Sequence, residues 1–200
     1  MLRRALIVSS VLAASLLTLL AACTPSKPSF NNTDITGSTV GGNFSLIDHT
    51  GAPRTLADYK GKVVAIFFGF TRCPDICPTN MLEWAEIMKQ LGPDADRVQV
   101  LFVTVDPERD TQAVLAGYVP AFDKRFVGLY AKDAAATKAV ADTFKVFYAK
   151  AGDTSGMNYT IDHTAASYVL DTTGKPRLYV KHGQANVEKT VADIRALLKG

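Results

Sequence analysis

Cys73 and Cys77, four residues apart, are the residues of this 200-residue chain best suited to chemistry. They lie in Cys73-Pro74-Asp75-Ile76-Cys77-Pro78, where two prolines and an aspartate mark an exposed loop, not a core. Pro78 suits the first position of a helix, since no N–H is missed there, which puts Cys77 at a helix start. The free N–H groups and the dipole of such a helix favour a thiolate. A helix-like turn brings both sulfurs to one side. Two close thiols can close a disulfide or ligate a soft metal.

A metal needs more than two ligands. The chain has three histidines. His49, in the turn Asp48-His49-Thr50-Gly51, and His182, beside Gly183, read as surface residues. His163, in Tyr159-Thr160-Ile161-Asp162-His163, is the available partner. Two thiolates and one imidazole form a small soft set: thiolates favour Cu(I), and imidazole adds tolerance for Cu(II). A structural zinc prefers four protein ligands, and no obvious fourth is at hand.

The elements that position these residues follow from hydrophobic pattern. Val63 to Phe70 and Val98 to Val105 are apolar on both faces, as central parallel strands are. Between them, Met81, Ala85 and Met88 share one face of a helix running from Pro78 to Leu91, stopped by Gly92-Pro93. Strand, helix, strand at this spacing is a right-handed crossover. The strands end at Phe70 and Val105, and ligand sites of open sheets gather at such ends. Further on, a helix is expected over 111–118, a short edge strand over 126–130, and a helix from Thr137 to Tyr148 with Val140, Phe144 and Phe147 on one stripe. Strands follow at 164–170 and 177–181, around the turn at Asp171–Gly174. Val187, Val191, Ile194 and Leu198 mark a last amphipathic helix. The fold class is α/β: a mostly parallel central sheet with an antiparallel hairpin and flanking helices.

The N-terminus describes an exported protein. Arg3 and Arg4 precede an apolar run to Ala22 without another charge, a signal-peptide layout. Leu20-Ala21-Ala22-Cys23 resembles a bacterial lipoprotein processing site, with Cys23 lipidated. This divides the chain into a signal peptide (1–22), a lipidated N-terminus and flexible tether (23–42) and one folded domain (43–200). The domain is expected to sit outside the cytoplasm on a bacterial membrane, on the periplasmic side in a Gram-negative cell. Net charge is +3, and the leader holds two of the 22 basic residues and none of the 19 acidic ones. No electrostatic platform for nucleic acid remains. With Cys23 lipidated, only Cys73 and Cys77 are left in the domain, too close together to act as a structural staple.

Three segments, in this order, resemble the motifs of the SCO/SenC copper chaperones. They are Gly69-Phe70-Thr71-Arg72-Cys73-Pro74-Asp75-Ile76-Cys77-Pro78-Thr79, Val103-Thr104-Val105-Asp106-Pro107-Glu108-Arg109-Asp110-Thr111, and Tyr159 with Asp162-His163 and Tyr168 through Gly174. The resemblance runs from about Phe44 to Leu198. It implies a thioredoxin-like fold and copper, as Cu(I) and Cu(II), on Cys73, Cys77 and His163. It also implies assembly of the copper site of cytochrome c oxidase subunit II or a similar copper-receiving protein. Asp106 and Asp162 match acidic family positions and are expected to support the site without ligating. Thioredoxins use CxxC and a cis-proline opposite it; here the spacing is wider and Asp162-His163-Thr164 stands in the proline's place. That favours a ligand over a general oxidoreductase and over a classical enzyme. The alternative is a thiol–disulfide reductase that keeps a target's metal-site cysteines reduced.

Overall fold

The computed structural model describes residues 29–182 and 187–200. Cys23 and the leader lie outside them. The elements are β1 (Thr33–Asp34), β2 (Ser45–Asp48), β3 (Pro53–Thr55), β4 (Val63–Gly69), α1 (Ile76–Leu91), β5 (Val98–Thr104), α2 (Gln112–Tyr118), β6 (Val127–Tyr130), α3 (Ala134–Thr143), β7 (Tyr148–Ala151), β8 (Thr160–His163), β9 (Ala166–Leu170), β10 (Pro176–Lys181) and α4 (Val187–Lys199).

Eight strands form one sheet in the order β1-β10-β9-β4-β5-β6-β2-β3, and β7 and β8 form a separate pair. The centre, β4-β5-β6, is parallel. Both flanks are antiparallel, so hairpins lie on two sides of the centre rather than one. This is the α/β, thioredoxin-like architecture expected. Every residue of β4 and β5 is buried, which explains their unbroken apolar composition. Phe68 packs on Phe144 from one face of the sheet, while Phe67 and Phe102 meet at a tilt on the other, with Tyr118 of α2 beside Phe102.

Several expectations are corrected. The segment read as a tether is docked from residue 30 onward. Phe30, Ile35 and Val40 pack on the core, and β1 pairs with β10. The backbone N–H groups and side-chain amides of Asn31 and Asn32 all donate to Asp193 of α4, at 2.8–3.1 Å. A buried carboxylate needs such donors, and the segment supplies them. The strand at 127–130 is not an edge: β2 and β3 lie outside it.

The helix expected to reach Tyr148 stops at Thr143, because the chain reverses through Lys145 at φ 56°. Phe147 therefore leaves the buried stripe and is 63 % exposed. His49 is half-buried, its Nδ1 accepting the Gly128 N–H at 3.0 Å and pinning the turn to β6. His182 is buried as well, between Ser167 and Glu83.

Candidate metal centre

The site is built on the ends of β4 and β5. Val105 N–H donates to the Gly69 carbonyl at 2.8 Å, closing the two strands. Beyond them, the Asp110 carboxylate takes the Thr71 N–H (2.9 Å), the Thr71 hydroxyl (2.6 Å) and the Thr104 hydroxyl (2.6 Å). One buried acid thus fixes where the chain leaves both strands. Burial pushes its carboxyl above the ordinary range against these three donors.

Helix α1 starts at Ile76, two residues before the start expected at Pro78. Its cap, Asp75, makes no side-chain capping bond. The Cys77 N–H instead donates to Cys73 Sγ at 3.4 Å, so a sulfur occupies the place of a capping oxygen. Pro78 falls within the same first turn, where its missing N–H does no harm.

Cys73 and Cys77 are both free thiols. Their roles differ. The Cys77 side chain hydrogen-bonds Cys73, and against the opposing effect of burial this bond and the Asp75 and Cys77 N–H groups hold the Cys73 thiol at about 4. Cys77, wholly enclosed, is pushed well above the usual thiol range by burial and by its neighbour sulfur. The pair therefore keeps one proton, on the inner sulfur. Gly69 makes the room: a Cβ there would sit 2.8 Å from Cys77 Sγ and from Phe67 Cε1.

His163 arrives at the end of β8, whose partner in register is Tyr148 of β7. Thr164 N–H donates to the Phe147 carbonyl at 3.0 Å, and Phe147 N–H to Thr164 Oγ1 at 3.1 Å, fixing the chain on either side of the ligand. His163 Nδ1 lies 3.2 Å from the Thr164 carbonyl, which can only accept. Nδ1 thus carries the proton and Nε2 turns its lone pair to the sulfurs, 3.3 Å from Cys77 Sγ. The rings of Phe67 and Phe70 meet the imidazole edge-on at 5.9 and 5.8 Å. Ligand atoms of Cys73, Cys77 and His163 all lie within 4.8 Å of one another. Two sulfurs and a lone-pair nitrogen facing one point form a donor set for a soft cation.

Asp106 acts at one remove. It accepts from buried Arg109 and from Tyr159 Oη, the latter at 2.8 Å. Arg109 also donates to the Tyr159 and Met157 carbonyls, at 2.6 and 3.1 Å, and stacks 3.6 Å over the Tyr159 ring. The end of β5 thereby holds the chain that enters β8 and delivers His163. Asp162 is exposed, and strand alternation puts it on the other face from His163, so the structure does not bring it into the site. Gly69 and Asp110 stood inside the motif segments with no role assigned, and Phe67 was read only as part of a buried strand.

Among the described residues, no helix is long and apolar enough to cross a membrane. The SCO1/SenC family model matches residues 32–199. A SCO2-like protein of Rickettsia felis is 39 % identical over 185 residues, covering 91 % of this chain and 87 % of its own length. The structure of Bradyrhizobium japonicum ScoI with copper bound superposes with a TM-score of 0.72 at 38 % identity, covering 79 % of this chain and 99 % of that one. Yeast Sco1 with copper bound gives 0.73 at 29 % identity, covering 81 % and 90 %. The extent of the match, the fold and the three converging side chains place this chain in the SCO1/SenC family.

Proposed function

We propose that this protein is an extracytoplasmic copper carrier, tethered to a bacterial membrane through lipid on Cys23. Cys73, Cys77 and His163 hold the ion, and the copper site of cytochrome c oxidase subunit II, or a similar one, receives it. The observation that carries the reading is the convergence of two sulfurs and one imidazole within 4.8 Å. Relatives at 38 % and 29 % identity have been solved with copper bound, which supports copper as the cargo.

The donor set suits both oxidation states. Cu(I) is satisfied by two thiolates at low coordination number, and Cu(II) wants the imidazole as well. Binding displaces the proton held on Cys77, so loading releases acid and is favoured as pH rises. Three ligands leave the ion open on one side, as a carrier requires if a recipient's thiolates are to take it over. Oxidase recognition follows from the family resemblance in the three motifs.

A second reading, reduction of a target's disulfide, is favoured by one observation. Cys73, the less enclosed thiol and the one held low, accepts the Cys77 N–H at 3.4 Å beside the fully buried Cys77 thiol, which burial pushes up, an arrangement suited to an attacking and a resolving thiol. His163 separates the two readings, because thiol exchange does not need it.

The test is copper titration of the reduced, detergent-purified chain, before and after mild oxidation. About one equivalent should bind to the reduced protein, and a disulfide form confirmed by mass should bind none until reduced. A reduced protein that binds neither ion, or that binds Cu(II) no better than its His163→Ala variant, would sink the carrier reading. Complementation of oxidase assembly by His163→Ala but not by Cys73→Ser would raise the reductase in its place.

A further inference from the structure

Glu83 and Trp84 are neighbours on α1, Ser167 lies in β9, and His182 follows β10. The fold joins them in a line. Trp84 Nε1 donates to Ser167 Oγ at 2.9 Å, Ser167 Oγ lies 2.6 Å from His182 Nε2, and His182 Nδ1 lies 2.8 Å from Glu83 Oε2. The indole can only donate and the carboxylate only accept. One proton order satisfies every group: Trp84 to Ser167, Ser167 to His182, His182 to Glu83. Serine, histidine and acid also make up the machinery of nucleophilic hydrolysis. Here Ser167 is fully enclosed and its oxygen is held by Trp84, so no substrate carbonyl reaches it.

The line bears on the candidate metal centre through position. Trp84 is seven residues after Cys77, two turns along the same face of α1. Ser167 stands four residues after His163. The ring of Phe67 meets His182 edge-on at 5.4 Å and His163 at 5.9 Å. The same ring and Cys77 Sγ both border the space that a Cβ on Gly69 would fill, each 2.8 Å from it.

We propose that Glu83, Ser167 and His182 are positioning residues for the site. They clamp the helix that carries Cys77 to the strands that follow His163, and they hold Phe67 as a fixed backing for the His163 ring. The proposal rests on the reading of His163 as a copper ligand. A fixed ring matters most to the ion that needs nitrogen, so loosening the clamp weakens Cu(II) and spares Cu(I), which the thiolates hold.

The test uses the reduced full chain in detergent, with Glu83→Ala, Glu83→Gln and Ser167→Ala. Glu83 is the outer end of the line, so Glu83→Ala cuts it with least harm to the core, while Glu83→Gln keeps an oxygen for His182 Nδ1–H. Folding is checked by thermal unfolding. Mass spectrometry follows the reaction of His163 with diethylpyrocarbonate in the metal-free protein, and titrations give Cu(I) and Cu(II) affinities with the nitrogen hyperfine signal of bound Cu(II). In folded Glu83→Ala, His163 should react several-fold faster, and Cu(II) should weaken by about tenfold with loss of nitrogen hyperfine structure. Cu(I) should change little, and Glu83→Gln should restore wild-type behaviour.

Unchanged His163 reactivity and Cu(II) affinity in folded Glu83→Ala would overturn the clamp, as would equal losses for both ions or a Glu83→Gln as impaired as the alanine. Should Ser167→Ala not fold, Glu83→Ala decides. A wild-type chain that binds no copper would remove the carrier reading, and the metal-free His163 rate would still judge the clamp.

Discussion

His163 Nε2 stands 3.3 Å from Cys77 Sγ, although 86 residues separate them along the chain. Both thiols come from one loop and helix start at the end of β4, while the imidazole comes from the separate β7–β8 pair. Two ligands are therefore local, and the third exists only in the folded protein. Replacing His163 with Ala should leave Cu(I) binding largely intact and weaken Cu(II) by about tenfold or more. Competition titrations with both ions check this, and equal losses would reject the division of labour.

The two thiols should react unequally. Cys73 is the less enclosed and is held at about 4, whereas Cys77 is fully buried and protonated. A lowered thiol keeps its thiolate down to the lowered value and loses it only as pH falls through it. Iodoacetamide should therefore label Cys73 first, at a rate nearly level from about pH 8 to pH 5, where an ordinary thiol of pKa about 8.5 slows about tenfold per unit. Peptide mapping after timed labelling gives the order. Faster labelling of Cys77, or a rate falling tenfold between pH 8 and 7, would contradict it.

Gly69→Ala tests the space beneath the inner sulfur. The added methyl would sit 2.8 Å from Cys77 Sγ and Phe67 Cε1, nearer than carbon and these atoms approach. Both neighbours are buried and cannot swing into solvent. We expect a loss of about 1–3 kcal/mol in stability and weaker copper binding, read from denaturant midpoints and copper titration. A variant of native stability and affinity would show that the inner thiol has room to spare.

Asp48 should give the fold an acid-sensitive component. Burial opposes its ionisation, but bonds from Thr50, Arg54 and Ala52 outweigh burial and hold the carboxyl at about 2. A group lowered in the folded state stabilises above its unfolded value, and the contribution disappears as pH falls through the folded value. The window is thus from about pH 4 down to pH 2. Asp48→Asn should lose about 2 kcal/mol at neutral pH, and its melting temperature should approach that of the wild type across the window. A constant gap between the two proteins down to pH 2 would refute the assignment.

What was legible in the sequence was what neighbouring residues decide. The unbroken apolar runs read as the buried strands β4 and β5, and Pro78 placed Cys77 at a helix start. Distant partners were not legible. Nothing in Phe30 to Asn32 announces Asp193, some 160 residues away, so a docked strap read as a tether. His182 read as surface because Ser167 and Glu83 reach it only through the fold. The stripe Val140, Phe144, Phe147 continued past the helix because the left-handed turn at Lys145 has no glycine to signal it. Asp162 fell on the wrong face because a strand alternates where motif adjacency suggests a cluster.

The two outer strands of the main sheet have a consequence for how two molecules of this protein can meet. At one edge β1 contributes two residues, and at the other β3 contributes three, the first of them Pro53, which has no N–H to offer. Strand-to-strand association between molecules needs a longer ladder than strands of two and three residues offer. Edges this short oppose the addition of one copy's sheet to another's.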